Sequence, residues 1–309
     1  MQRREFLRTS CATGLAALTA GAAYAQADLP QRLPGESEVA YRQRLARLQA
    51  GPSTNKIPGE SEVAYRQRMA RLRTEAAEVM ATEYFELRRY EIETEAQRAS
   101  FDTFAKEAAI PALNRAGVEP VGVFYPWEAL SPIYVLLRHK SLASFASLTQ
   151  RLSQDEGFLQ AGAAFLNAPA GAPAYKRMQV QLMAAFEGMP HLETPVDAPG
   201  RVFQLRTYES PSEKTGLKKI EMFNTAEIDI FRRTGLNPVF FGQTLAGDKM
   251  PNLTYMLVFN DMDERQANWK QFGSDPEWKQ LSSMPEYADK EILCGITNLY
   301  LRPADYSQI

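Results

Sequence analysis

The sequence predicts an α+β protein: two ferredoxin-like β-α-β-β-α-β domains packed sheet on sheet, preceded by a helical N-terminal extension. Three observations predict it. A strand-like heptapeptide is written twice, FELRRYE at 85–91 and FQLRTYE at 203–209, 118 residues apart. Other residues repeat at the same offset or two to three residues beyond it: Gly117 with Gly235, Pro120 with Pro238, 133–137 with 254–258, and Asp155 with Asp275. Both copies also pass through strand and helix periodicities in the same order.

Residues 1–25 have the form of an export signal. Arg3 and Arg4 precede Phe6 and Leu7, a weakly apolar run follows, and Ala23 and Ala25 give a small-x-small cleavage site. The arginine pair resembles a twin-arginine signal and implies a periplasmic or secreted protein. Cleavage after Ala25 would leave Cys294 as the only cysteine, so no intramolecular disulfide is expected. No later run reaches the roughly 20 apolar residues of a membrane span. The formal charge of −2 argues against a nucleic-acid partner.

Residues 26–80 carry a second, shorter repeat. LPGESEVAYRQRLARL begins at Leu33 and IPGESEVAYRQRMARL at Ile57, a period of 24. Pro-Gly opens each unit, acids come first and arginines last, which suits a helix dipole. Tyr41, Leu45 and Leu48 form an apolar stripe, as do Tyr65, Met69 and Leu72. Two short amphipathic helices are expected. The narrow stripe flanked by charges of both signs reads as a solvated helical extension lying on the main domain, with docking of the basic excess on an acidic protein partner or anionic lipid as the alternative.

Residues 81–188 form the first unit. Residues 84–92 alternate as a strand. Thr94 and Gln97 make a capping box for a helix carrying Phe101, Phe104 and Ala108, and Gly117 ends it. Strands follow near 118–125 and 133–138, then a helix opened by Ser141, then a strand at 179–186. Residues 168–173 are a loop insertion, and 189–200 a linker. Residues 201–309 repeat the plan. A strand at 202–208 precedes a helix capped by Ser210, with Pro211 and Glu213 behind it. Gly235 ends that helix, and strands follow at 238–243 and 253–259. Asp263 with Gln266 caps a helix bearing Trp269 and Phe272, and the last strand is 292–301.

Such a unit leaves one sheet face uncovered, and the second unit can cover it, giving an intrachain version of a dimeric α/β barrel. Alternation puts Phe203 and Leu205 opposite Gln204, Arg206 and Tyr208, and Phe85 and Leu87 opposite Glu86, Arg88 and Tyr90. The apolar face is expected under the helices and the polar one between the sheets. An Arg beside a Tyr in a partly closed cavity suits an anionic or phenolic ligand. Arg88, Tyr90, Arg206 and Tyr208 are therefore ligand-binding candidates, joined by Tyr134 and Tyr255 on matching strands and by Asn298 in the last strand. The favoured reading of Arg88 and Arg206 is structural, paired with Glu86 or Glu91 and their counterparts across the domain interface.

No catalytic residue stands out. His139 ends a strand and His191 lies in the linker, too scattered for a metal centre or a nucleophile triad. His139 reads as a solvated loop residue, with haem ligation or general-base work as the alternative. No cofactor is expected, with haem the alternative.

FQLRTYE at 203–209, Gly235-Leu-Asn-Pro238, Asn252-Leu-Thr-Tyr-Met256, and Trp269 with Asp275-Pro-Glu-Trp278 together resemble a NIPSNAP domain, and FELRRYE at 85–91 a more divergent one. The resemblance covers about residues 82–309. It implies kinship with dimeric α/β barrel proteins, which include cofactor-free monooxygenases and haem-handling proteins. The expected function is binding of a small organic ligand or a protein partner, with a pocket between the two sheets. The alternative is a cofactor-independent or haem-dependent oxygenase-type enzyme, by analogy of fold.

Overall fold

A computed structural model of the chain describes Arg68 and residues 82–309. The chain divides into two units, Met1–Glu78 and Val79–Ile309. The expected export signal and, apart from Arg68, the 24-residue repeats lie outside the described residues. All that follows concerns the second unit.

Its first half runs β1 (Tyr84–Glu91), α1 (Glu95–Phe104), a π-helical turn (Ala105–Ala109), α2 (Ile110–Arg115), β2 (Val121–Pro126), β3 (Ile133–His139), α3 (Leu142–Ser153), α4 (Glu156–Ala161), α5 (Ala163–Leu166) and β4 (Arg177–Ala185). The second half runs β5 (Val202–Glu209), α6 (Glu213–Met222), a second π-helical turn (Phe223–Glu227), α7 (Ile228–Arg233), β6 (Asn237–Ala246), β7 (Asn252–Phe259), α8 (Met262–Ser274), α9 (Pro276–Ser282), a 3₁₀ turn (Pro285–Tyr287), α10 (Asp289–Ile292) and β8 (Gly295–Pro303).

The helix ends follow local chemistry. Thr94 and Ser141 accept hydrogen bonds from the N–H groups of Gln97 and Ser144. Gly117 and Gly235 stop the helices before β2 and β6 at φ of 72° and 79°, where a Cβ would be strained. Two caps fall elsewhere than the sequence suggests. Ser212, not Ser210, caps α6, because Thr215 completes a box with it. Asp261, not Asp263, caps α8, and the Glu264 carboxylate accepts the Asn260 N–H at 2.5 Å. The last strand starts at Gly295 rather than 292, because Asp289–Ile292 forms a helical turn.

The eight strands close into one barrel in the order β1-β3-β2-β8-β5-β7-β6-β4. Each half contributes the 4-1-3-2 order of a ferredoxin-like sheet. The halves meet through antiparallel edges, β2 with β8 and β4 with β6, as well as through their faces. Closure removes the edge strands that two separate sheets would expose.

The barrel interior reverses the facing expected from alternation. Phe85 and Leu87 of β1, Phe203 and Leu205 of β5, and Phe240 and Met256 of the neighbouring strands share one buried cluster drawn from both halves. Phe85 lies 5.0 Å from Phe240 and Phe124 4.8 Å from Phe203, ring centre to ring centre. Glu86, Arg88, Tyr90, Gln204, Arg206 and Tyr208 therefore face the helices. The physical reason is solvation. The middle of the closed barrel takes Phe, Leu and Met, and the polar side chains that share this face pair with one another, Gln181 with Thr244 and Thr254, and Thr254 with Thr207. The helix-covered face has margins where a guanidinium can reach solvent.

Candidate functional site

Strand register decides which side chains of the two halves are equivalent. Arg88 pairs with Val135 across β1–β3, and Arg206 pairs with Tyr255 across β5–β7. Val135 is thus the counterpart of Tyr255. Val123 lies opposite Val135 as Phe241 lies opposite Tyr255, so these two correspond as well. A one-residue slip in register moves a side chain to the other face. Tyr134 accordingly faces the barrel interior, whereas Tyr255 faces the helices.

The π-helical turns complete the correspondence. Ala105 opens the first and Phe223 the second, and Leu113 in α2 stands where Phe231 stands in α7. At these positions the layer between helices and sheet has Ala105, Leu113, Val123 and Val135 in the first half and Phe223, Phe231, Phe241 and Tyr255 in the second, while Phe101, Phe104, Phe158 and Phe165 still line the first-half space. In the second half Phe223, Phe231 and Phe241 surround Tyr255 at centroid distances of 5.5, 5.7 and 5.3 Å. The Tyr208 and Tyr255 hydroxyls are 2.9 Å apart. In the first half the same place is a cavity of about 150 Å³, lined by Arg88, Tyr90, Ala105, Val123, Val135 and Tyr175 among others. Replacing large core side chains by small ones leaves a void because the surroundings relax only in part.

Arg88 is the one charged side chain in that lining, 20% exposed. Its Nε donates to Glu86 Oε1 at 2.6 Å. The other Glu86 oxygen lies 3.0 Å from His139 Nε2, and His139 Nδ1 lies 3.2 Å from Ser144 Oγ. In the tautomer with a proton on Nε2, His139 donates to Glu86 and accepts from Ser144, so both ring nitrogens are satisfied. Burial raises the Glu86 carboxyl, but the His139 and Arg88 hydrogen bonds outweigh it and hold the group below its usual range. Burial opposes the Arg88 charge, and the Tyr90 and Glu86 side chains more than restore it. Burial pushes the Tyr90 phenol up, so at neutral pH it carries its proton. Its ring stands edge-on to Tyr175 at 5.3 Å.

The seven sequence-nominated residues fall in four places. Arg88 and Tyr90 line the first-half cavity. Arg206, Tyr208 and Tyr255 sit in the matching second-half layer, which is filled; Arg206 lies over Trp269 at 4.8 Å and Tyr208 at 5.2 Å instead of pairing with a carboxylate. Tyr134 is inside the barrel. Asn298 is exposed on β8, accepting from Gln204 at 2.6 Å. The expected pocket between the sheets is occupied by the apolar barrel core, and the cavity lies under the helices. His139 is fully buried, not a solvated loop residue. Pairing of Arg88 with Glu86 holds. The small residues that open the cavity were not singled out in the sequence, although Ala105 and Val123 stand at the 118-residue offset from Phe223 and Phe241. Among the described residues no group of His, Cys, Asp or Glu is arranged to hold a metal, and no helix is long and apolar enough to cross a membrane.

Comparison with known proteins places these halves in context. A NIPSNAP family model matches residues 203–308. No curated protein matches the chain. Among solved structures, an uncharacterized NIPSNAP-like domain protein from Burkholderia xenovorans is 16% identical over 35% of this chain and 90% of its own, with a TM-score of 0.32. A NIPSNAP family protein from Agrobacterium tumefaciens is 17% identical over 35% of this chain and 98% of its own, with a TM-score of 0.32. An anthrone oxidase-like protein is 7% identical over 72% of this chain and 92% of its own, with a TM-score of 0.47. The second half of the barrel, over residues 203–308, is a NIPSNAP domain.

Proposed function

We propose that the protein binds a small, mostly apolar organic molecule in the first-half cavity between sheet and helices. The carrying observation is the contrast between the halves. One fold, used twice in one chain, fills this layer with Phe223, Phe241 and Tyr255 in the second half and leaves about 150 Å³ open in the first. An apolar void of roughly this size takes a benzene-sized guest. Left empty, it costs about 3.6 kcal/mol at about 24 cal/mol per Å³. A bound ligand offsets that cost, and Arg88 and Tyr90 give the ligand an orientation.

Calorimetric titration with toluene tests the reading. Wild type is expected to bind toluene. Val135→Tyr places the second-half side chain in the first-half void and is expected to abolish binding while the fold is kept. Absence of toluene binding in wild type, or undiminished binding in V135Y, contradicts it.

A further inference from the structure

We infer that Glu86 makes this cavity select an uncharged hydrogen-bond acceptor, such as an aryl ketone, and reject a carboxylate of the same size. The inference rests on the cavity being the binding site, as proposed above. It follows from a count of charges and donors around the cavity.

Three features set the count. Glu86 is 3% exposed and its two oxygens are taken by Arg88 Nε and His139 Nε2. Arg88 lines the cavity, bonded through Nε to Glu86 and by a further hydrogen bond to the Tyr90 hydroxyl, and its guanidinium carries N–H groups beyond these two bonds. The rest of the lining is apolar apart from the Tyr175 hydroxyl. Arg88 and Tyr90 thus offer N–H and O–H donors to an incoming oxygen. One guanidinium already cancels one carboxylate, and His139 is satisfied by Glu86 and Ser144 without a second proton. A carboxylate ligand would therefore bring an unbalanced negative charge within reach of Glu86 in a poorly hydrated space. A carbonyl oxygen accepts the same hydrogen bond and leaves the balance at zero.

The second half supplies a control. Arg206 has Gln204, not a glutamate, two residues before it, as Arg88 has Glu86. Among the described residues no carboxylate forms an ion pair with Arg206, Glu227 acting on it only from farther off, and its Nε has no hydrogen-bond partner. A carboxylate at this position is therefore not needed to hold the strand arginine in this fold. Glu86 is a feature of the half that has the cavity.

The test compares toluene, acetophenone and benzoate by calorimetric titration at about pH 7, where benzoate is ionised. Wild type is expected to bind acetophenone about tenfold more tightly than toluene, the size of one hydrogen bond to a charged donor. Benzoate is expected to bind more weakly than acetophenone. Glu86→Gln keeps the size of the side chain and an acceptor for His139 but uncovers the Arg88 charge, and is expected to reverse the order, with benzoate above acetophenone. Should E86Q fail to fold, the double variant Glu86→Gln/Arg88→Met restores neutrality. It is expected to lose the acetophenone advantage over toluene while still rejecting benzoate. Tighter binding of benzoate than acetophenone by wild type overturns the inference. So does an unchanged benzoate-to-acetophenone ratio in a folded E86Q, or a retained acetophenone advantage in the double variant. If toluene itself does not bind wild type, the cavity reading fails and this inference with it.

Discussion

Tyr255 and Val135 occupy the same strand position in two copies of one fold, and they set opposite outcomes for the layer above them. Tyr255 is fully buried, stacks on Phe241 and holds the Tyr208 hydroxyl at 2.9 Å. Val135 reaches none of this and leaves space. Tyr255→Val is therefore expected to open a void in the second half. It also strips the partner from a buried Tyr208 hydroxyl, so the loss of stability should lie at about 3–5 kcal/mol, the range for large aromatic truncations. Chemical denaturation would measure it. A loss under about 1 kcal/mol would mean that the layer collapses freely, and the first-half cavity would then need another explanation. Residue identity was legible in the sequence to this extent: Arg88, Tyr90, Arg206 and Tyr208 share a strand face. Which face it was could not be read. Alternation fixes that Phe85 and Arg88 point apart, but not which of them meets the helices. That depends on barrel closure, which arises from edge pairing between the copies, β2 with β8 and β4 with β6.

At the scale of elements, the duplicated strand-helix plan was clear because capping residues, stop glycines and apolar spacing are local signals. The π-helical turns Ala105–Ala109 and Phe223–Glu227 were not, because no residue type marks a bond from i to i+5. A repeated long-range clamp joins the helices. Arg115 grips Asp155, the cap of α4, and Arg233 grips Asp275, the cap of α9, with closest contacts of 2.8 and 2.7 Å. The Asp275 carboxyl is held down to about 2 from an ordinary 3.8, by the Arg233 hydrogen bond first and then by the N–H of Trp278. A depressed carboxylate stabilises the fold above its unfolded pKa and loses that contribution as pH falls through the folded one. The gap in Tm between wild type and Asp275→Asn should therefore be full above about pH 4 and shrink toward about pH 2. A gap independent of pH over that range would show that the cap alone, without its charge, does the work.

At the scale of the molecule, a single chain makes both halves of a closed barrel, and that frees them to differ. A symmetric pair built from two identical chains carries the same side chains at both helix–sheet layers. Here one layer is an aromatic core within a NIPSNAP domain, and the other is a small cavity carrying an arginine, a tyrosine and a buried Glu86–His139–Ser144 chain of hydrogen bonds. The whole-chain duplication was visible in the sequence at an offset of 118. The inequality of the copies was written there too, in Ala105 against Phe223 and Val123 against Phe241, but only the strand register shows that these positions face one another across a single space. The most direct measurement is diffraction from crystals pressurised with xenon. The account predicts one xenon site beside Val123 and Val135, and none at Phe241 and Tyr255. Equal occupancy of the two layers, or no xenon in the first, would contradict it.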